Sequence, residues 1–475
     1  MPYPFALPTT SSISFSAYFS STTHPSLPLT ATTYRGVLRD VLKKHKRLPT
    51  HLQAQNVSTV LAAINDYVPY LLALDAGLSG ATVAGEEVDT ILAKEPELEW
   101  RATLTNSVPG REPPRVKLRS LEYEVFFVLS VLAYTYTLLA RSQLVKLFPP
   151  STPTAGQRTT AVQTATKYLS QSSSIHRYLV DRSGQWEQPS PVLDISTPVL
   201  NALASLSLAE ATLLAVQKDD PYPTVVNQER NKDDTEWMIK APEIPKVRAH
   251  VFARLCQAAA DHAGKASAML RGINRIDEGL VRYVEDLQKT ARAKACRFLG
   301  IDADLGGRAG EAIAWLRGGK VELGIAVAGD EDGTRSGLSK WKKQWTEKRE
   351  DKKIEQGKEW GLDAGRVEEG RVLAMLEKKW VKINDTINTQ LIPPSGVLVA
   401  SMPSGRDIHT LTPFIAPHLG EEILTKMRAP PDPSLRGFEG DEDDSDNDDI
   451  NDHGRNPPGT FPGSGGGTNS SSVYY

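Results

Sequence analysis

Cysteine is almost missing from this 475-residue chain: Cys256 and Cys296 are the only two. Both fall in helical patterns and read as small buried hydrophobes, which excludes a disulfide framework and suits a reducing compartment. Long apolar runs are scarce too. The one membrane-like stretch, Val125–Ala140, has 16 residues and carries Ser130, Tyr134, Thr135, Tyr136 and Thr137. A bilayer span needs roughly 20 apolar residues, so the stretch reads as a core helix. The opening MPYPFALPTTSSISFSAYF has neither a basic start nor an unbroken apolar core, so no secretory signal is expected, and Pro2 excludes N-myristoylation.

Catalytic signatures are also missing. The chain has no Gly-rich loop followed by Lys-Ser/Thr, no His-Glu-x-x-His and no Gly-x-Ser-x-Gly elbow, so neither an enzyme nor a cofactor is expected. Its nine histidines are scattered. His262 follows Cys256 by six residues, but no second Cys/His pair completes a zinc site, and a packed core histidine is the reading. In the acidic run Asp441–Asp452, Asp444, Asp446 and Asp448 alternate like the start of a calcium loop. Asp449 then stands where the turn needs glycine and Arg455 where a bidentate Glu is needed, so no metal is expected there.

Charge of one sign is lacking overall, since the net charge is -3. From Pro431 onward, ten acidic side chains face two basic ones, leaving the tail near -8 and the body near +5. Residues 431–475, rich in Gly, Ser and Asp, are expected to be a disordered acidic tail, because they cannot bury enough apolar surface to offset chain entropy. The strongest nucleic-acid lookalike is Lys340–Lys358, where lysines flank Trp341 and Trp345. Glu347, Glu350, Asp351 and Glu355 are interleaved with them, which favours a solvated helix face and leaves a scaffold binding nucleic acid or an anionic surface as the alternative.

What remains is helical periodicity. Ser12–Phe19 alternates with period two and predicts one short strand. After Pro28, the spacing of Tyr34, Val37, Leu38, Val41 and Leu42 predicts a helix ending in basic residues, and Leu52–Leu78 predicts another, bent or interrupted at Pro69. Further helices are predicted over Leu118–Arg141, Arg158–Val180, up to Lys218 with Asp194 or Ser196 as its cap, Lys246–Arg271, Leu280–Phe298, after Gly306-Gly307, Ser339–Trp360 and Val367–Ile383. Asp219–Pro245 and Gly324–Gly337 read as loops. Long helices joined by short turns suggest stacked hairpins, without a strict 34-residue repeat.

Several segments carry a resemblance. TYRGVLRDVLKKHKRL (33–48), YLLALDAGLSG (70–80) and PGREPPRVKLRSLEYEVFFVLSVLAYTYTLLAR (109–141) are similar to the Bro-domain family of adaptors, to which Alix belongs, in its fungal ambient-pH signalling branch. So are DISTPVLNALASLSLAEATLLAVQKD (194–219), Gly310, Glu311, Ile313, Ala314 and Leu316, and Asn384, Asp385, Ile387 and Pro393 ahead of an expected closing Pro-rich strand. The resemblance implies a mostly α, elongated, boomerang-shaped Bro domain over residues 1–430, with tetratricopeptide-like hairpins and a small β element. It implies a non-enzymatic, cytoplasmic adaptor, recruited to cell cortex or endosomal membrane. The implied partners are the C-terminal helix of a Snf-seven-type ESCRT-III subunit and components of the ambient-pH signalling complex that activates the PacC transcription factor, with peripheral membrane association and no nucleic acid. On the helix up to Lys218, Leu206 matches the family's central apolar contact, with Leu203 and Leu213 as neighbours, while Leu208 and Ala211 are expected to face the core. Glu210 and Thr212 stand where the family's motif has Gln.

Overall fold

The computed structural model describes residues 1–106, 112–147, 154–223, 246–325 and 361–430. Within these, Met1–Ala429 forms one compact unit. The expected charged helix Ser339–Trp360, most of the two long loops and the acidic tail lie outside the described residues.

Helices dominate, as the periodicity predicts. They are α1 (Leu27–Arg47), α2 (Thr50–Leu78), α3 (Leu121–Val145), α4 (Ala155–Ser183), α5 (Thr197–Gln217), α6 (Lys246–Arg271), α7 (Glu278–Leu305), α8 (Ala309–Glu322), α9 (Arg366–Ile383) and the short α10 (Ser395–Ala400) and α11 (Glu421–Met427). From α1 to α8 each long helix packs against the next, and α9 closes on α7 and α8. This stepwise pairing makes α3 and α5 apolar on nearly every side, because each has a helix on both flanks. Val125, Phe126, Phe127, Val128 and Leu129 are all fully buried in consecutive positions of α3. Three helices among the described residues, α2, α3 and α5, are long and apolar enough to cross a membrane by length and composition, so Val125–Ala140 is not alone in this. Their most apolar windows are 56%, 83% and 78% buried inside the fold.

Helix α2 runs through Pro69 without interruption. Helix α3 begins at Ser120, whose hydroxyl accepts from the Glu122 N–H, with Glu122 and Glu124 in the first turn where the helix dipole favours them. Helix α5 has no such cap. The Asp194 carboxylate instead accepts from the Thr103 and Leu104 N–H groups at 2.6 and 3.0 Å, and the Ser196 hydroxyl donates to the Leu193 carbonyl. The expected cap is therefore replaced by a tie between the entry to α5 and the chain that leaves strand Glu97–Arg101.

The β element is small and antiparallel. β6 (Glu97–Arg101) pairs with β7 (Arg115–Arg119) and with β1 (Thr9–Thr10), in the order β1-β6-β7. Two-residue ladders join β2 (Phe19–Ser20) to β5 (Ile91–Leu92) and β3 (Thr82–Val83) to β4 (Glu86–Glu87). The strand expected over Ser12–Phe19 is a 3-10 turn at Phe15–Ala17, flanked by β1 and β2. The Phe15 N–H donates to Thr32 Oγ1 on α1, so that backbone is used by a helix side chain rather than by a neighbouring strand. The closing strand expected near Pro393 is also not formed. Asn384–Asn388 makes a π-helical turn, and the Gln390 main chain is bonded on both sides by the Asn384 amide. Extended chain then leads directly into α10.

Two buried charge clusters pin these layers. Glu124 on α3 accepts from Arg35 of α1 at 2.7 Å, Trp100 of β6 at 2.7 Å and Tyr67 of α2 at 3.1 Å, while Arg35 also reaches Thr10 of β1. Arg297 on α7 is fully buried between Asp220 and Glu369, each at 2.6 Å, with its guanidinium 4.3 Å from the Phe298 ring centroid. Buried charges persist only when paired in this way.

Candidate functional site

Helix α5 presents two stripes of opposite fate. Leu203, Leu206, Glu210 and Leu213 follow the 3-4-3 spacing of one helix side, and Asn201, Ser205, Leu208, Thr212 and Ala215 that of the other. The expected contact stripe points inward. Leu203 and Leu206 are each 1% exposed and belong to the main core with Phe126, Leu129 and Tyr283. Leu213 is half-buried and touches the cores on both sides of it. Leu206, expected at a groove, is thus in the core, while Leu208 and Ala211 are buried as expected, at 5% and 0% exposed. Identity alone could not orient the helix, because it carries leucine or alanine on both sides.

Glu210 belongs to the inward stripe. Its Oε1 accepts from the Tyr3 N–H at 2.9 Å and the Tyr283 hydroxyl at 2.7 Å, and Tyr283 also donates to the Met1 carbonyl. Arg141 on α3 donates to the Pro2 carbonyl. The N-terminal segment is therefore threaded between α3, α5 and α7. Burial, only partly opposed by these bonds, pushes the Glu210 carboxyl up to about 7.

Extended chain crosses α5 near Ala211. Residues 402–418 have no regular secondary structure and cross three helices. At α6 the Arg406 N–H donates to the Arg254 carbonyl, Arg254 donates to the Ser404 carbonyl, and Asp407 meets His262 at 2.8 Å. At α5 the His409 ring lies beside the Ala211 main chain, its Nε2 buried without a hydrogen-bond partner among the described residues. At α4 Ser174 donates to the Thr412 carbonyl, and Phe414 sits edge-on to Tyr178 with centroids 5.3 Å apart. His262 is accordingly a surface partner of this strap rather than a packed core residue. Gly405 permits the close approach, since a Cβ there would fall 2.6 Å from the Ala258 nitrogen. The strap keeps Ile415 82% exposed, and only beyond it do Leu419, Leu424 and Met427 return to the core. Sequence reading missed the strap because it has no period and little apolar content. Its visible signals are Pro403, Pro413 and Pro417 and the glycine at 405.

Chemically reactive groups do not converge here. Burial pushes the Cys256 and Cys296 thiols up to about 12 and the His176 imidazole down to about 3, holding each neutral. Among the described residues no three His, Cys, Asp or Glu side chains gather where they could hold a metal ion. The geometry is that of a helical wall crossed by extended chain.

Residues 88–395 match the profile of the BRO1-like domain. The chain belongs to the BRO1-like family. Within the family it is 45% identical to the pH-response regulator protein palC of Emericella nidulans, over 98% of this chain and 99% of that protein. It is 27% identical to the palC protein of Cryptococcus neoformans var. neoformans, over 89% of this chain and 95% of the relative. Among solved structures, the BRO1-like fold described above resembles an ALIX BRO1 CHMP4C complex, with a TM-score of 0.51 and 14% identity over 89% of this chain and 97% of that one. It also resembles ALIX bound to the SIVmac239 PYKEVTEDL late domain, with a TM-score of 0.53 and 14% identity over 88% of this chain and 49% of that one. At such identity these likenesses speak to fold alone: the chain is a mostly α BRO1-like protein with a small β element.

Proposed function

We propose that this chain is a non-enzymatic adaptor of fungal ambient-pH signalling. It captures the C-terminal amphipathic helix of a Snf-seven-type ESCRT-III subunit and thereby supports proteolytic activation of the PacC transcription factor at alkaline pH. The observation that carries the reading is the 45% identity to a pH-response regulator across 98% of the chain. The ESCRT-III part is supported by the fold's likeness to an ALIX domain whose complex contains CHMP4C. The adaptor works from the cytoplasm, and the polymerising partner recruits it to cell cortex or endosomal membrane.

The docking region is helix α5 and its flanks. Leu203 and Leu206 act from the core side, holding the helix in place, and Leu213 lies at the margin. The receiving surface is the α4–α5–α6 wall beneath residues 402–418, where the cover is extended chain rather than another helix. A helix laid in such a groove gains affinity from a few buried apolar anchors. Calorimetric titration of the full chain with a synthetic C-terminal helix of the subunit tests this. A Kd in the micromolar range, about 8 kcal/mol, is expected, with loss of binding when one apolar anchor of the peptide is changed to Asp. No heat at millimolar peptide would remove ESCRT-III from the proposal and leave the pH-signalling adaptor role to be filled by another partner.

A further inference from the structure

Four hydroxyl residues of this chain are followed by proline: Thr152, Ser190, Thr197 and Thr412. Proline-directed protein kinases read such pairs, because the ring forces the preceding residue toward extended backbone and presents its hydroxyl in one way. The fold separates the four. Thr152 lies outside the described residues. Thr197 stands in the first turn of α5, its hydroxyl 2.9 Å from that of Ser183. The Ser190 hydroxyl is engaged in a local turn, donating to the Val192 carbonyl and accepting from the Val192 N–H. Neither offers extended chain with a free hydroxyl.

Thr412 offers both. It is exposed, sits in the strap where that crosses α4, and its hydroxyl has no hydrogen-bond partner among the described residues. Its carbonyl accepts from Ser174 at 2.7 Å, and two residues on, Phe414 rests edge-on against Tyr178. The strap is therefore registered over the turn of α4 from Ser174 to Tyr178. The cation of that turn is Arg177, exposed and without a carboxylate partner among the described residues. It follows Ser174 by three positions and so flanks the side of the helix on which the strap lies. No acid occurs between Ser170 and Tyr178 on α4 or between Ile408 and Ala416 in the strap. Glu210, the single acid of α5, is turned inward to Tyr3 and Tyr283.

We infer that Thr412 is a phosphorylation site for a proline-directed protein kinase, and that the phosphothreonine pairs with Arg177 and fastens the strap to α4. In the transfer, Thr412 Oγ1 forms a bond to the γ-phosphorus of a nucleoside triphosphate while the bond from that phosphorus to the β–γ bridging oxygen breaks. The hydroxyl proton passes to the catalytic base of the kinase, and nucleoside diphosphate leaves. The product carries about two negative charges near pH 7 and three strong acceptor oxygens, which suit the fork of a guanidinium. With no carboxylate beside it to repel it, the phosphate adds a charge-assisted tie to a segment otherwise held by a handful of bonds. The inference concerns the strap itself and does not depend on what occupies the wall.

Incubation of the full chain with a purified cyclin-dependent kinase and ATP, followed by fragment-mass mapping, tests the site. Thr412 is expected to take up one phosphoryl group in the folded chain while Ser190 and Thr197 take up none, and Thr412→Val should abolish uptake at that position. A synthetic peptide of residues 406–418 serves as the unfolded comparison. Refusal by the folded chain, with or without refusal by the peptide, would overturn the proposal. Phosphorus NMR of the modified chain reads the pairing. Beside a guanidinium the phosphate should release its second proton about one pH unit below its ordinary value near 6, a tenfold change, and Arg177→Gln should restore that value. The Arg406 amide, bonded to the Arg254 carbonyl, should exchange its hydrogen about fivefold to tenfold more slowly after modification and return to the parent rate in Arg177→Gln. Both substituted side chains are exposed, so circular dichroism should show every variant folded. Proton release that Arg177→Gln leaves unaltered, or an Arg406 amide that exchanges no more slowly after modification, would overturn the clamp.

Discussion

The two sides of α5 are both buried at their centres and are held by different means. Its inward side, Leu203, Leu206 and Glu210, is fixed by α3, α7 and the threaded N-terminal segment. Its other side, Leu208 and Thr212, is almost equally buried, 5% and 2% exposed, next to a strap that crosses the helix at Ala211, makes a handful of hydrogen bonds and leaves most of its own side chains in water. Equal burial therefore does not mean equal commitment. A side chain held by interlocking helices can leave water only with global unfolding, whereas one covered by a strap is exposed by a local opening.

The largest effect is expected on the inward side. Truncating a buried leucine costs about 2 to 5 kcal/mol, and a carboxylate placed there adds the cost of desolvating a charge. Leu206→Asp should therefore destabilise the chain by more than about 4 kcal/mol, enough to unfold much of it at 25 °C. Denaturant titration followed by circular dichroism reads this out. A folded Leu206→Asp chain of near-normal midpoint would return Leu206 to an exposed groove.

Glu210 gives the next effect, confined to a pH window. In the folded chain its carboxyl keeps a proton up to about 7, against 4.5 when unperturbed. The folded state thus binds more protons between these values, so stability falls as pH rises through the window and levels off above it. The groups facing Glu210 are Tyr3, Tyr283, Arg141 and the N-terminal amine; burial holds that amine below its ordinary value and gives it a contribution of the opposite sign, so the Glu210 contribution is read from the difference between parent and variant. Glu210→Gln keeps a carbonyl oxygen for the Tyr3 and Tyr283 donors and has no charge to desolvate. It should match the parent chain near pH 4.5 and exceed it by up to about 3 kcal/mol at pH 8. Parallel stability curves across that range would show that Glu210 is ionised throughout.

The helices were legible in the sequence because burying one side of a helix imposes a 3.6-residue period, as in Leu280, Tyr283, Val284, Leu287 and Ala291 of α7. Segments whose backbone is bound by side chains were not legible. Ser12–Phe19 has a strand's period, yet Thr32 takes the Phe15 N–H, and the main chain before α10 is bound by Asn384. The family resemblance singles out α5 but does not orient it, and Leu206, expected at a groove, lies in the core. Leucine and alanine occur on more than one side of α5, and its orientation is set by contacts distant in sequence, Leu203 and Leu206 with Phe126 and Leu129 and Glu210 with Tyr3 and Tyr283.

The smallest stability change, and the most informative one, is expected from Gly405→Leu. A side chain at 405 must collide with the Ala258 backbone, so residues near 405 should lift from α6 while Leu419, Leu424 and Met427 stay in the core. Global stability should move by about 1 kcal/mol or less, because few buried contacts are lost. The Arg406 amide, bonded to the Arg254 carbonyl in the parent, should exchange its hydrogen much faster. If the strap covers the partner's seat, apparent affinity scales with the open fraction, and an opening equilibrium shifted by up to about 1 kcal/mol should tighten binding of the ESCRT-III helix by up to roughly 5-fold. Faster exchange at Arg406 with unchanged affinity would place the partner elsewhere on the molecule. Faster exchange with weaker affinity would make the strap part of the seat, and the outward side of α5 would then be a permanent interface between the chain and itself.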